Sequence, residues 1–343
     1  MVIDVKKVVL GMSGGVDSSV AAILLQEQGY EVIGVTFIFT DDFNTDDAEK
    51  ICKLLNIQHY IKDYRTEFKQ QIIDRFISDY KNGMTPNPCV ICNKQIKIKY
   101  LIDAMHEYNA DFVATGHYAQ IIDGRLYKSK NINKDQSYFL SLLSKSELEK
   151  ILFPLEHLEK DEVRNIAEQH GLINSNKKDS FDICFIPNSF QEYMSNYTNS
   201  SSGPIVEINS NKIVGTHKGL AHYTIGQRKG LNLGGNQERL FVVKKDIEKN
   251  VLYVGGDDLN SCLYSSKALI ENVNWISDLN PEECSAKFRY RQEDNAVRLE
   301  YLDNNSILVT YPKAIKAVTP GQICVFYNNN ECLGGGIIKD IYK

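Results

Sequence analysis

No apolar run in the 343-residue chain approaches the length of a membrane span, so nothing in the sequence predicts a transmembrane helix. Charge of one sign is equally scarce. Lys and Arg total 39 against 44 Asp and Glu, for a formal net charge of −5. That balance excludes a global basic field, so any contact with nucleic acid must come from local patches. The single C-x-x-C has no second C-x-x-C and no paired histidines, which excludes a zinc ribbon. There is no internal repeat and no low-complexity segment. The start, MVIDVKKVVLGM, runs directly into a strand pattern and leaves no room for a leader peptide, so a cytoplasmic protein is expected. The 8 cysteines then read as thiols, metal ligands or redox groups, not as a disulfide framework.

What is present is ordinary in bulk and specific in detail. Hydrophobic residues make up 43% and charged residues 24%, as in globular proteins, and the length calls for two or three domains. Residues 1–200 alternate strand and helix patterns: strands at Glu31–Phe39, Ile57–Tyr64 and Phe112–Thr115, and helices at Thr45–Leu55, Thr66–Asn82 and from the MTPNPCVICN loop through Met105. Such alternation predicts an α/β domain with a parallel sheet whose ligands lie beyond the carboxyl ends of the strands. NSSSGP at 199–204 reads as a linker. Short β runs follow in 201–265, and from 266 to 343 alternating strands with Asp303-Asn304-Asn305 and Asn328-Asn329-Asn330 turns predict a small closed β barrel.

The densest signal is LGMSGGVDSS, Leu10–Ser19, placed between an apolar strand and an apolar-periodic helix. Gly14 and Gly15 let the backbone approach an oxyanion, and the helix start adds N–H groups and a positive dipole end. Ser13, Ser18 and Ser19 add hydroxyls. The turn has no Walker lysine. It resembles instead the PP-loop of the ATP pyrophosphatases, which implies cleavage of ATP between the α and β phosphates and adenylation of a substrate oxygen.

Three cysteines stand in unusual company. Cys89 and Cys92 form C-x-x-C in TPNPCVICNK, and Cys184 lies in KKDSFDICFIP. A redox pair and half of a metal site are both open readings of the C-x-x-C. Reactive sulfur needs electropositive surroundings, and Lys94, Lys97 and Lys99 follow Cys92 while Lys177 and Lys178 precede Cys184. Cys52 reads as a buried free thiol, and Cys262, Cys284, Cys324 and Cys332 fall in β segments.

GMSGGVDSS, TPNPxxxCN, ATGHYA, KDQSYFL, DSxxICF, IGQRKGL, RYRQ and AVTPGQxxVFY…CLGGGII occur in this order. With them the chain resembles, nearly end to end, the bacterial tRNA-specific 2-thiouridylases. The resemblance implies a PP-loop catalytic domain (1–200), a central domain (201–265) and a C-terminal barrel (266–343). It also implies ATP-dependent conversion of the wobble uridine of tRNA to 2-thiouridine. Gly11, Met12, Ser13, Gly14, Gly15, Val16, Asp17 and Ser18 would bind the ATP phosphates, with Phe37 and Gly116 nearby and Asp17 close to the phosphates or their Mg2+. Asn87, Pro88 and Cys89 would face the target base. His117, Lys134, Asp135, Gln136, Arg289, Tyr290 and Gln322 match tRNA-contacting positions. Cys92 matches the active nucleophile and Cys184 the persulfide carrier, supplied by a cysteine desulfurase or sulfur-relay protein. The family often has aspartate where this chain has Cys89. Two routes follow: a Cys184 persulfide assisted by Cys92, or a 4Fe–4S cluster held by Cys89, Cys92 and Cys184, to which the extra soft ligand at 89 inclines the reading.

Local basic residues for RNA include Arg125, Lys128, Lys130, Arg228, Lys229 and Arg291, with Tyr223, Phe288 and Tyr290 interleaved; a β core accounts equally well for those aromatics. Another PP-loop adenylator, such as an argininosuccinate synthase or a tRNA lysidine synthetase, would not need Cys92 and Cys184 in these contexts. A non-catalytic RNA-binding or cluster-storing protein would not need the intact Ser13–Ser18 turn.

Overall fold

A computed structural model describes residues 5–177, 183–187, 189–198, 201–233, 239–258, 262–279, 281–303 and 305–343. Lys178, and Asp179 and Ser180 of the DSxxICF motif, lie outside the described residues, as do Asn199, Ser200 and Asn304.

The first region is built on a five-stranded sheet of β1 (Lys7–Gly11), β2 (Glu31–Ile38), β3 (Gln58–Asp63), β4 (Phe112–Ala114) and, after a hairpin of β5 (Ala119–Ile122) and β6 (Arg125–Lys128), β7 (Ile151–Leu152). The order is β3-β2-β1-β4-β7, and every pair is parallel. KVVLG is buried through its centre, as expected of a parallel strand covered on both faces. Val8 and Leu10 face one core, shared with the helices Val16–Glu27 and Asp46–Leu54, and Val9 faces the other, shared with Phe68, Phe76, Ile96 and Leu101. The chain leaves β1 toward β2 and returns on its other side as β4. The β1/β4 boundary is therefore the topological switch point, where parallel sheets open a crevice at their carboxyl ends.

Two helical rods cover the second face. The run Arg65–Phe68 and Asp74–Lys81 encloses a π-helical turn, Lys69–Ile73. The run Pro88–Cys92 and Ile98–Glu107 encloses another, Asn93–Lys97. π turns are rare and occur often at functional sites. Gly83, at φ +78°, ends the first rod as the sequence predicts.

A four-stranded sheet follows, ordered β10 (Phe241–Asp246), β11 (Val251–Gly255), β8 (Gly203–Glu207), β9 (Ile213–His217), so part of the expected linker is strand. The last region is a barrel of β12 (Tyr264–Trp275), β13 (Glu283–Lys287), β14 (Asn295–Tyr301), β15 (Ser306–Lys316), β16 (Ile323–Asn328) and β17 (Glu331–Tyr342), closed by the β12–β17 pairing. The predicted α/β domain with a parallel sheet, small central domain and C-terminal barrel is thus the architecture seen.

The hairpin β5–β6 was not among the expected strands. Its Asp123-Gly124 turn has positive φ at both residues, the geometry favoured between two twisted strands. It extends the barrel sheet through β6–β17 rather than the parallel sheet, and Ile323, Val325, Tyr327 and Cys332 of the barrel join the core behind the π-bearing rods. Among the described residues no helix is long and apolar enough to cross a membrane.

Candidate active site

The phosphate turn is formed by backbone and hydroxyls. Gly14 adopts φ +71°, and a Cβ there would meet the Ala48 nitrogen and Asp47 Cβ at 3.0 Å. Gly15 is the N-cap of the helix Val16–Glu27 and no side chain caps it. The first-turn N–H groups thus lack a side-chain acceptor, the usual state of a helix start that takes an anion. Ser13 Oγ and Ser18 Oγ lie 3.1 Å apart and Ser18 Oγ donates to the Gly15 carbonyl. Thr36 Oγ1 donates to the Met12 carbonyl at 2.6 Å, holding the turn to β2. Phe37, the penultimate residue of β2, packs with Phe39, Tyr64 and Tyr100.

Asp17 Oδ1 accepts from Tyr118 Oη at 2.8 Å and Lys160 Nζ at 2.7 Å. Its carboxylate ties the phosphate helix to the loop after β4. Asn174 Nδ2 donates to the Gly14 carbonyl at 3.1 Å and to Ser19 Oγ at 3.0 Å, and Lys177 Nζ reaches Gly14 O at 3.4 Å and Asp47 Oδ2 at 2.6 Å. The stretch that leads toward Cys184 therefore begins on the phosphate turn.

Gly116 closes the other side of the crevice. A Cβ there would stand 2.9 Å from the Asp17 carbonyl carbon and the Ser18 nitrogen, so only glycine lets the β4 loop come this close. His117 follows, with Nδ1 2.8 Å from Thr115 Oγ1. Desolvation first, and the Lys97 ammonium second, push its pKa down to about 3. The imidazole is neutral at working pH, which suits a hydrogen-bonding role and makes it a weak general base.

The helix Pro88–Cys92 starts at Asn87, whose Oδ1 accepts from Val90 N, with Pro88 at the first helical position, where a missing N–H costs nothing. Cys92 is buried, Cys89 partly so, and Cys184 is on an exposed turn between Ile183 and Ile186. Phe185 anchors that turn by edge contacts with Phe68 and Phe76; burying such a ring contributes about 2 kcal/mol. Desolvation raises all three thiol pKa values, that of Cys92 to about 12, and Lys97 opposes it at each. The Lys97 charge thus acts on Cys89, Cys92, Cys184 and His117, and Gly116, next to His117 in the chain, packs on the phosphate turn.

The expected tRNA-facing residues divide. Asp135 is buried and accepts from Ser129 N, Ser137 N and Ser137 Oγ. Gln136 Oε1 accepts from Tyr118 N. Arg289 Nη2 donates to Ile225 O at 2.9 Å and Thr319 Oγ1 at 2.6 Å, joining the barrel to the central region. Gln322 Nε2 donates to the Thr85 carbonyl at 2.7 Å, and Tyr290 packs on Phe139 with centroids 4.3 Å apart. Lys134 is half-buried, and its N–H bonds Asn131. Asp135, Gln136, Arg289 and Gln322 thus each engage the protein itself through hydrogen bonds. A cavity of about 90 Å³ lies where Asn87, Pro88 and Ile91 meet Gly321 and Ile323.

A family model described as a tRNA methyl transferase HUP domain matches residues 6–188, a tRNA methyl transferase PRC-barrel domain matches 191–256, and an aminomethyltransferase beta-barrel domain matches 265–338. The tRNA-specific 2-thiouridylase MnmA of Mycoplasmopsis synoviae is 45% identical, over 98% of this chain and 96% of that protein. That of Bacillus cytotoxicus is 43% identical, over 98% and 95%. The chain belongs to the tRNA-specific 2-thiouridylase family. Among solved structures, a 4-thiouridine synthetase–RNA complex with bound ATP covers 53% of this chain and 45% of that chain, at 18% identity and a TM-score of 0.37.

The site fits the groups expected of a 2-thiouridylase unequally. The uncapped turn with its left-handed glycine fits ATP phosphates. Asp17 Oδ1 already accepts from an ammonium and a phenol, so that oxygen is not open to a Mg2+ ion as placed. The cluster does not fit either: among the described residues no three His, Cys, Asp or Glu side chains converge as a metal-holding group. Sequence reasoning missed Tyr118, Lys160 and Asn174. Tyr118 carries the local signal of ATGHYA, whereas Lys160 and Asn174 are placed only by packing of a distant segment on the phosphate turn.

Proposed function

We propose that this chain is a tRNA-uridine 2-sulfurtransferase that uses ATP to convert the wobble uridine to 2-thiouridine. The observation that carries the reading is continuity: the phosphate turn touches Gly116, His117 follows it, and the Lys97 charge acts on both His117 and the three thiols. Adenylation and sulfur delivery must meet at one pyrimidine ring, and holding both partners in one crevice replaces an unfavourable encounter by proximity.

The uracil C2 oxygen is a poor leaving group. Its attack on the α phosphorus of ATP releases pyrophosphate and makes AMP the leaving group. Gly14, Gly15 and the first-turn N–H groups orient the phosphates, and Ser13 and Ser18 hydroxyls supplement them. Asn87 and Pro88 border the base. In the persulfide route, the outer sulfur of a Cys184 persulfide attacks C2, and AMP departs with its electron pair. Cys92, as thiolate, then attacks the Cys184 sulfur. The Cys92–Cys184 bond forms, the bond to the transferred sulfur breaks, and 2-thiouridine is left. A thiol reductant reopens the disulfide, and a desulfurase or sulfur-relay protein reloads Cys184. Mg2+ accompanies ATP as its phosphate-bound counter-ion.

The test is a pyrophosphate assay with transcript tRNA, paired with mass spectrometry of the wobble nucleoside. tRNA-dependent release with sulfur incorporated is expected. Release without sulfur would point to another adenylator. Anaerobically purified protein that is iron-free and fully active with persulfide is the expected result for the route; activity strictly tracking bound iron would replace it by the cluster route.

A further inference from the structure

The turn Leu10–Ser19 is shaped for a polyanion, yet its own side chains are acidic. It holds one carboxylate, Asp17, and no lysine or arginine. A second carboxylate stands against it, since a Cβ on Gly14 would meet Asp47 Cβ at 3.0 Å. Helix-start N–H groups carry partial charges, and two carboxylates beside them work against a polyphosphate. The compensating charge comes from far along the chain. Lys160 Nζ lies 2.7 Å from Asp17 Oδ1, and Lys177 Nζ lies 2.6 Å from Asp47 Oδ2.

These two ammoniums are held differently. Lys177 is 49% exposed, whereas Lys160 is 12% exposed, with its ammonium 5.9 Å from the Tyr118 ring centroid. Lys160 opens the helix Lys160–Gln169, whose Val163 and Ala167 are buried in the core that holds Val16 and Val20. Residues 160, 163 and 167 share one helical face. The face that packs beside the phosphate helix Val16–Glu27 therefore also delivers the ammonium to its first turn, where Asp17 is the second residue.

We propose that Lys160 is a phosphate-binding residue of the ATP site, supplying through space the cation that a Walker turn carries within its own sequence. Asp17 is then the positioning residue that holds the ammonium at the turn. An ammonium has three donors, so one N–H serves Asp17 while another serves a phosphate oxygen. The same charge assists the chemical step. As the α–β linkage breaks, the bridging oxygen leaves on pyrophosphate with the bond's electron pair, and an ammonium at the phosphates stabilises the charge that gathers there. The proposal rests on the ATP-dependent reading of the turn and names the residue that completes its charge.

The experiment titrates the full chain, without tRNA, with ATP and with adenosine by calorimetry. Lys160→Gln keeps a donor for Asp17 and loses the charge. It is expected to weaken ATP binding about tenfold or more, with adenosine binding unchanged. Lys160→Arg keeps the cation and is expected to retain ATP binding within a few-fold of wild type. A second measurement uses the wild-type chain and does not depend on any variant folding. Acetylation of lysines by an amine-reactive ester is followed by peptide mass spectrometry. ATP is expected to protect Lys160 and adenosine to leave it unprotected, with Lys145, an exposed lysine paired with Asp278, as the internal reference. A Lys160→Gln chain that binds ATP as the wild type does overturns the proposal, because the residue would then only tie Asp17 in place. Loss of adenosine binding in step with ATP also overturns it, and so does Lys160 acetylation that ATP does not slow. A wild-type chain that binds ATP through Lys160 but never thiolates tRNA would sink the sulfurtransferase reading alone.

Discussion

The phosphate turn is one uninterrupted stretch, Leu10–Ser19, whose chemistry comes from glycines, hydroxyls and a helix start. The thiol neighbourhood is gathered from three separated segments: a helix with a π turn, the loop after β4, and an exposed turn anchored by one phenylalanine. The first region uses backbone N–H groups that are ready as soon as the helix forms. The second uses side chains whose reactive state depends on what packs around them. The comparison teaches that a site for recognising phosphate can be local, while a site for tuning sulfur reactivity has to be tertiary.

Four measurements break or sharpen that contrast. Cys92→Ser and Cys184→Ser are each expected to remove 2-thiouridine entirely from the wobble nucleoside while tRNA-dependent pyrophosphate release continues; thiolation surviving in either variant removes that cysteine from the reaction. Gly14→Val forces a β-branched side chain into φ +71° against Asp47 and Ala48, and is expected to reduce pyrophosphate release on the order of 100-fold or more while thiol alkylation stays as in the wild type. Asp17→Ala, which removes the acceptor of Tyr118 Oη and Lys160 Nζ, should act the same way with the fold retained, and wild-type turnover there would show that the tie is dispensable.

The third is a pH effect. The folded His117 pKa is depressed from 6.5 to about 3, so on acidification the unfolded chain takes up a proton that the folded chain refuses. Stability should fall progressively from pH 6.5 toward 3, and His117→Asn should flatten that part of the thermal-melt profile; an unchanged slope would place the histidine in water. The smallest effect is at the barrel. Gln322→Ala removes the bond to the Thr85 carbonyl and should cost about 1 kcal/mol in a denaturant titration, with pyrophosphate release altered less than stability.

Much of this was legible in residues 1–120, because parallel strands buried on both faces and helices with one apolar stripe write their periods directly into the chain. The hairpin β5–β6 is not legible from periodicity, although Asp123-Gly124 is a hairpin turn, because its two strands are only four residues each and sit inside the α/β alternation. Asp135, Arg289 and Gln322 show the limit at the site. The family resemblance matches them to tRNA-contacting positions, and only the fold reveals that Ser129 and Ser137, Ile225 and Thr319, and Thr85 are their hydrogen-bond partners within the chain.

By itself the sequence determined the phosphate turn, the order of the three regions and the identity of the three thiols, because strand–turn–helix geometry is a property of neighbours along the chain. Only the tertiary structure decided that Lys94 pairs with Glu147, that Asp17 is tied to Lys160, and that His117 is neutral. Those outcomes depend on desolvation and charge, which act through space between segments that the linear order keeps apart.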